Sequence, residues 1–84
     1  MPLICEFDGI RIYMYWNDHQ PPHFHVMYGE YKAIIEIRTG QLLAGTLPSS
    51  VLRTVREWQT RRVHDLIENW NLCQRAEHPH KLER

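Results

Sequence analysis

A short histidine-rich segment near the start of the chain carries the residue types most suited to chemistry. Residues 18–25 read DHQPPHFH. His23 and His25 are two positions apart in a predicted strand, so both side chains project from the same face. Zinc–nitrogen bonds of about 2.0–2.1 Å allow two imidazoles so placed to meet at one ion. With His19 folding back across the two prolines, they form a candidate ligand set for a divalent transition metal such as zinc.

The same residues also fit catalysis without a metal. Histidine titrates near neutral pH, so His23 and His25 could serve as general acid and base in the cleavage of a phosphodiester. Lys32 or Arg11 would then offset the negative charge of the phosphate. A third interpretation is a structural or partner-facing role for the histidines. The residue types alone leave all three open.

In each case the sheet face around the histidines is the predicted working surface. Glu36 would lie across the ladder from His23, as a fourth ligand or as the carboxylate that orients a ring. Aromatic and basic side chains on this face could also stack nucleobases. The predicted binding surface comprises Asp18, His19, Tyr13, Tyr15, Tyr28, Glu36 and Arg62.

Alternating apolar and polar residues in the first half predict strands that would position this segment. The pair Gly29-Glu30 suits a two-residue type II′ hairpin turn. That turn sets the register, with Tyr28 opposite Tyr31 and His23 opposite Glu36. The predicted strands cover residues 3–7, 10–16, 23–28, 31–38 and 41–46.

The second half has helical periodicity instead. A proline and a serine at 48–49 suit a helix start, and apolar residues then recur on one side of a helix over 49–74. Such a helix would be about 37 Å long. Gln59 and Arg62 interrupt the apolar side, which indicates a bend or a polar contact with the sheet. We therefore predict an α+β domain over 1–74, with an antiparallel sheet of four to five strands packed on one long C-terminal helix. Residues 75–84 are expected to form a loose tail.

The composition limits the classes of partner and the cell compartment that we predict for this protein. Ten basic and ten acidic residues cancel, so net charge gives no long-range attraction to nucleic acid or to an anionic membrane. Cys5 and Cys73 form no disulfide framework, and no apolar run approaches the length of a membrane span. We expect a cytoplasmic protein with no membrane association. Because an 84-residue core is small, dimerisation or a partner protein would help to stabilise it.

The motifs resemble those of a bacterial family called domain of unknown function 4160. The resemblance rests on IYMYW at 12–16, DH at 18–19, PPHFHV at 21–26, YGEYKA at 28–33, GTLP at 45–48, EW at 57–58 and LIENW at 66–70. It implies a small bacterial protein encoded beside another small protein, in a toxin–antitoxin-like pair. The leading expectation is thus a binding module that acts through that partner. The alternative is a metal-dependent hydrolase or a metal-independent ribonuclease. The family often has a histidine where this chain has Arg62, a departure that weakens the metal hypothesis.

Overall fold

The computed structural model describes residues 1–84 as a five-stranded sheet followed by two helices. Every pair of neighbouring strands is antiparallel, and the sheet order follows the chain order. The α+β class is thereby confirmed. No helix has both the length and the apolar character needed to cross a membrane. The elements are β1 (Leu3–Phe7), β2 (Ile10–Tyr13), β3 (His23–Tyr28), β4 (Tyr31–Glu36), β5 (Leu42–Gly45), α1 (Ser49–Arg61) and α2 (Val63–Gln74).

The hairpin of β3 and β4 has the predicted register. Tyr28 pairs with Tyr31, and His23 pairs with Glu36. Gly29 has a φ of 56°, whereas Glu30 is not in the positive-φ region, which is the pattern of a type II′ turn. Because side chains alternate along a strand, this register places His23, His25 and Lys32 on one face of the sheet.

The sheet has one core face and one outer face. Trp58 of α1 packs against Phe7 and Phe24 from the core face, with ring centroids 5.8 and 5.9 Å apart. Outer-face side chains are partly or fully exposed, except for His23. Among them are Arg11, Tyr13, His25, Met27, Lys32 and Ile34. The helices thus leave most of this face open, and α2 covers only the end of the face near His23.

The single long helix predicted for 49–74 is wrong, because the segment forms two helices. They separate at Arg62, whose φ and ψ are −118° and 15° and whose N–H donates to Gln59 O. A straight helix of about 37 Å would exceed the longest dimension of the molecule, 33 Å. Gln59 is buried beside the break and donates to the carbonyl of Ile37. The interruption at 59 and 62 therefore marks both a bend and a polar contact with the sheet.

The expectation of a loose tail also needs correction. Residues 75–84 contain no helix or strand, yet they are bound to the domain. The amide of Asn69 donates to His80 O, and its carbonyl accepts from His80 N. Leu82 N donates to Ile4 O in β1, and Arg84 pairs with Asp8. The tail thus lies against the β1 edge of the sheet.

Candidate functional site

Three side chains converge at the start of β3. The Oδ2 atom of Asp18 lies 2.8 Å from Nε2 of His23 and 3.1 Å from Nε2 of His25. All three atoms lie within 4.8 Å of one another. Their side chains are 11%, 3% and 15% exposed, respectively, so the group is largely shielded but open to one side.

The orientation of the His23 ring determines which of its nitrogen atoms can act as a ligand. Its Nδ1 lies 2.6 Å from the carbonyl oxygen of Pro21, which can only accept a hydrogen bond. Nδ1 must therefore carry the proton. Nε2 faces Oδ2 of Asp18, so it donates a hydrogen bond to Asp18 when the ring is doubly protonated and offers a lone pair to an ion when the ring is neutral. A backbone carbonyl that fixes the tautomer in this way is a common partner of metal-bound histidine.

The C-terminal end of α2 holds the loop that carries Asp18. The side chain of Gln74 donates to Asp18 O at 2.9 Å, and Asn17 N donates to Cys73 O at 3.1 Å. Within the loop, His19 N donates to Asp18 Oδ1 at 2.9 Å. The carboxylate of Asp18 is thus positioned by hydrogen bonds from its two neighbours, Asn17 and His19, and by the bond from Gln74.

Two aromatic rings restrain the histidines. Trp70 of α2 packs on His23 with centroids 5.1 Å apart, and Tyr15 stacks on His25 with centroids 4.0 Å apart and planes 7° apart. Because each imidazole is packed by an aromatic ring, its rotation is limited. The three polar atoms are therefore held close to a common point.

The charge state of Asp18 suits a ligand. Burial by itself raises the pKa of this carboxyl group. Hydrogen bonds from His25, from the His19 amide and from His23 lower the pKa by more, so that it lies below the ordinary value of 3.8. Asp18 is consequently ionised at neutral pH, as a metal ligand must be.

The structure brings only part of the predicted ligand set together. His23 and His25 are in the group, but the third member is Asp18 and not His19. The ring of His19 is 89% exposed, and its Nδ1 faces Oδ1 of Asp18 at 3.0 Å. Its centroid lies 5.7 Å from that of His23. His19 therefore lies at the rim of the site.

The other predicted residues divide between the two faces of the sheet. Tyr13 pairs with His25, and Lys32 and Tyr15 line a groove that begins at His25. Glu36 pairs with His23 as expected, but its carboxylate accepts from the Thr39 hydroxyl.

Two residues of the predicted binding surface lie away from it. Tyr28 packs against the core face, because it differs in parity from His25 along β3. Arg62 lies at the start of α2, where it binds Asp65 and the carbonyls of the tail. The site lies at the opposite end of that helix. The structure therefore does not bring Arg62 near the histidines.

Sequence reasoning missed the contribution of α2 to the site. Neither Trp70 nor Gln74 is among the predicted site residues. The apolar periodicity of this helix predicts that Trp70 is buried, but it does not predict the contact of Trp70 with His23. Asp18 was assigned to the binding surface and not to the ligand set, although it directly precedes His19.

The comparisons with known proteins agree with the motifs. The family model described as "Domain of unknown function (DUF4160)" matches residues 9–71. The chain belongs to this family. The matched region contains Asp18, His23, His25 and Trp70, but not Gln74. No curated protein and no solved structure matches the chain.

Proposed function

We propose that this DUF4160 protein binds one divalent transition metal ion through Asp18, His23 and His25 and acts as a metal-dependent hydrolase. The observation that carries the proposal is the convergence of three ligand atoms, one of them on a ring whose other nitrogen donates to Pro21 O. Three protein ligands with a free position are typical of catalytic zinc sites, whereas structural sites are closed by four.

The distances from Asp18 to the two histidines are compatible with such an ion. Bonds of about 2.0–2.1 Å at tetrahedral angles separate neighbouring ligand atoms by roughly 3.3 Å. The distances of 2.8 and 3.1 Å from Asp18 would have to open by only a few tenths of an ångström. Two imidazoles and one carboxylate suit zinc, and iron(II) also uses this donor set. Zinc is the ion that we propose.

In this role the ion would polarise a substrate oxygen and lower the pKa of bound water. The chain supplies the remaining contributions. Pro21 O holds the tautomer of His23, Tyr15 and Trp70 restrain the two rings, and Gln74 holds the loop of Asp18.

The metal-free and metal-bound states would differ in the number of protons on His23. Without an ion, His23 would need protons on both ring nitrogens to donate to Pro21 O and to Asp18 together. A metal ion replaces the proton on Nε2. The nitrogen NMR shifts of His23 therefore distinguish the two states, because a metal-bound Nε2 carries no proton.

The decisive experiment is calorimetric titration of the tag-free protein with zinc, manganese, iron(II) and nickel. We expect one zinc ion per chain, with binding lost in Asp18→Asn and in the His23→Ala/His25→Ala double variant. His64→Ala removes an exposed histidine of α2 and is the matched control, which should bind as the wild type does. Wild-type protein that binds none of these ions would contradict the proposal. So would zinc binding that the double variant retains.

The second candidate function is a binding module that acts through a small protein encoded alongside, as a component of a toxin–antitoxin-like pair. It is supported by the contrast between the two sheet edges. The tail covers β1, whereas the outer edge of β5 pairs with no other strand. Residues 41–46 read QLLAGT, without the charges or prolines that usually protect an edge. The pairing of β5 with β4 shifts register at Leu43, but an edge without charges or prolines can accept a strand from another protein.

Co-expression with the neighbouring gene product tests this second function. We expect a stable complex that Leu43→Lys disrupts, because Leu43 is exposed on β5. Thr60→Lys, at an exposed position of α1, is the control and should leave the complex intact. Failure of the two proteins to co-purify would exclude the module, and self-association through β5 would indicate a homodimer instead. Both candidate functions are proposed for the cytoplasm, where the unpaired thiols of Cys5 and Cys73 would stay reduced.

A further inference from the structure

An open groove begins at His25 and crosses the outer face of the sheet toward β5. Its volume is about 290 Å³, close to the lower end for small-molecule sites. Most of the side chains in its wall are apolar or aromatic, so it would accept a flat or apolar body. The lining side chains that matter for recognition are Tyr15, His25, Met27, Lys32, Ile34 and Ala44.

Lys32 gives the groove its charge preference. Lys32 is the only lysine, arginine, aspartate or glutamate among the lining residues. No ion pair within the chain involves Lys32, so its charge is available to a ligand. The carboxylates of Glu6 and Glu36 lie elsewhere on the outer face and do not line the groove.

The groove and the proposed metal site share His25. Met27 pairs with Lys32 and Ile34 pairs with His25, so Lys32 is the diagonal cross-strand neighbour of His25. Diagonal neighbours are about 7–8 Å apart, within reach of a long side chain. An anionic group at this end of the groove could therefore meet the ammonium and the metal with two different oxygens.

We propose that the groove binds a small phosphate ester with a flat organic part, held between Lys32 and the metal site. Phosphate provides several anionic oxygens, and lysine is a common phosphate ligand. The flat part lies beside the stacked rings of Tyr15 and His25 and over the apolar side chains of Met27 and Ile34. This inference rests on the proposed metal-dependent function and names its substrate class.

Binding of phenyl phosphate to zinc-loaded and metal-free protein tests the inference. We expect Lys32→Gln to weaken binding about tenfold, because it removes one charge-assisted contact. Ala44→Leu would fill part of the groove and should weaken binding to a similar extent. Lys81→Gln is the matched control, since Lys81 lies in the tail, and it should have no effect. Circular dichroism on each variant confirms that it is folded.

Each outcome has a definite meaning. Equal binding by Lys32→Gln and Lys81→Gln, or no binding by zinc-loaded wild type, would overturn the groove assignment even if zinc binds. Benzoate that binds as tightly as phenyl phosphate would overturn the preference for phosphate. Lys32-dependent binding in a protein that takes up no zinc would support the groove and refute the metal site. Uridine 5′-monophosphate and a short oligouridylate then distinguish a free nucleotide from a nucleic-acid strand.

Discussion

The phenol ring of Tyr15 lies almost parallel to the imidazole of His25, with centroids 4.0 Å apart and planes 7° apart. His25 in turn directs Nε2 at Oδ2 of Asp18. Tyr15 follows the end of β2, whereas His25 lies within β3. The stack therefore links the start of the Asp18 loop to the strand that carries both histidines, and it sets the plane of one proposed ligand.

Loss of this stack should weaken zinc binding. Aromatic pairs contribute about 0.5–1.5 kcal/mol beyond simple burial, so we expect Tyr15→Leu to reduce zinc affinity about fivefold. Tyr15→Phe keeps the ring and should bind zinc as the wild type does. Competition titration with a chromogenic chelator measures both variants. Unchanged affinity in Tyr15→Leu would show that the ring does not orient His25.

Gln74 is distant from Asp18 in the sequence, but it should stabilise the loop that carries Asp18. Its side chain donates to Asp18 O at 2.9 Å, so Gln74→Ala removes one partly buried hydrogen bond. We expect a loss of about 1 kcal/mol in the free energy of unfolding, measured by urea denaturation, and weaker zinc binding. Gln41→Ala, at an exposed position before β5, is the control. Equal stability of the two variants would contradict a positioning role for Gln74.

Asn69 should control the attachment of the tail. It is fully buried in α2 and makes two hydrogen bonds with the backbone of His80. Asn69→Ala removes both, so trypsin should cleave after Lys81 roughly tenfold faster. Asn71→Ala changes an exposed residue of the same helix and should leave the cleavage rate unchanged. Identical cleavage of both variants would indicate that the other tail contacts are sufficient.

The two thiols should be unreactive in the folded protein. Burial raises the pKa of Cys5 and of Cys73 above the ordinary value of 9.0. We expect slow reaction with a thiol reagent at pH 8 and fast reaction in urea, since only the thiolate reacts. Above about pH 9 the unfolded chain releases thiol protons that the folded chain retains, so stability should fall as the pH rises.

Cys73→Ala isolates one thiol in this test. The free energy of unfolding of this variant should depend less on pH above about pH 9 than that of the wild type, because one group with a raised pKa is missing. Wild-type thiols that react at the same rate with and without urea would disprove the effect of burial.

Local sequence patterns are sufficient to predict the strand pairing that positions the two histidines. The strict alternation of side chains and the Gly29-Glu30 turn act over a few residues, so they were enough to predict the register of β3 and β4. They also placed His23 and His25 on one face. The interruption at Gln59 and Arg62 indicated a bend, but its conversion into a break between two helices depended on contacts with the sheet.

The other residues of the site come together through contacts between distant parts of the chain. Asp18 and His19 are adjacent in the loop. The loop is held by a hydrogen bond from the side chain of Gln74, at the end of α2, to the carbonyl of Asp18, more than fifty residues away. The contact of Trp70 with His23 likewise depends on how α2 packs across the end of the sheet. The tail is held by contacts with residues far away in the chain, such as Asn69 and Ile4, and these contacts leave no periodic pattern in the sequence. Long-range packing therefore brings Asp18 to the cluster, whereas local strand geometry places His23 and His25 together.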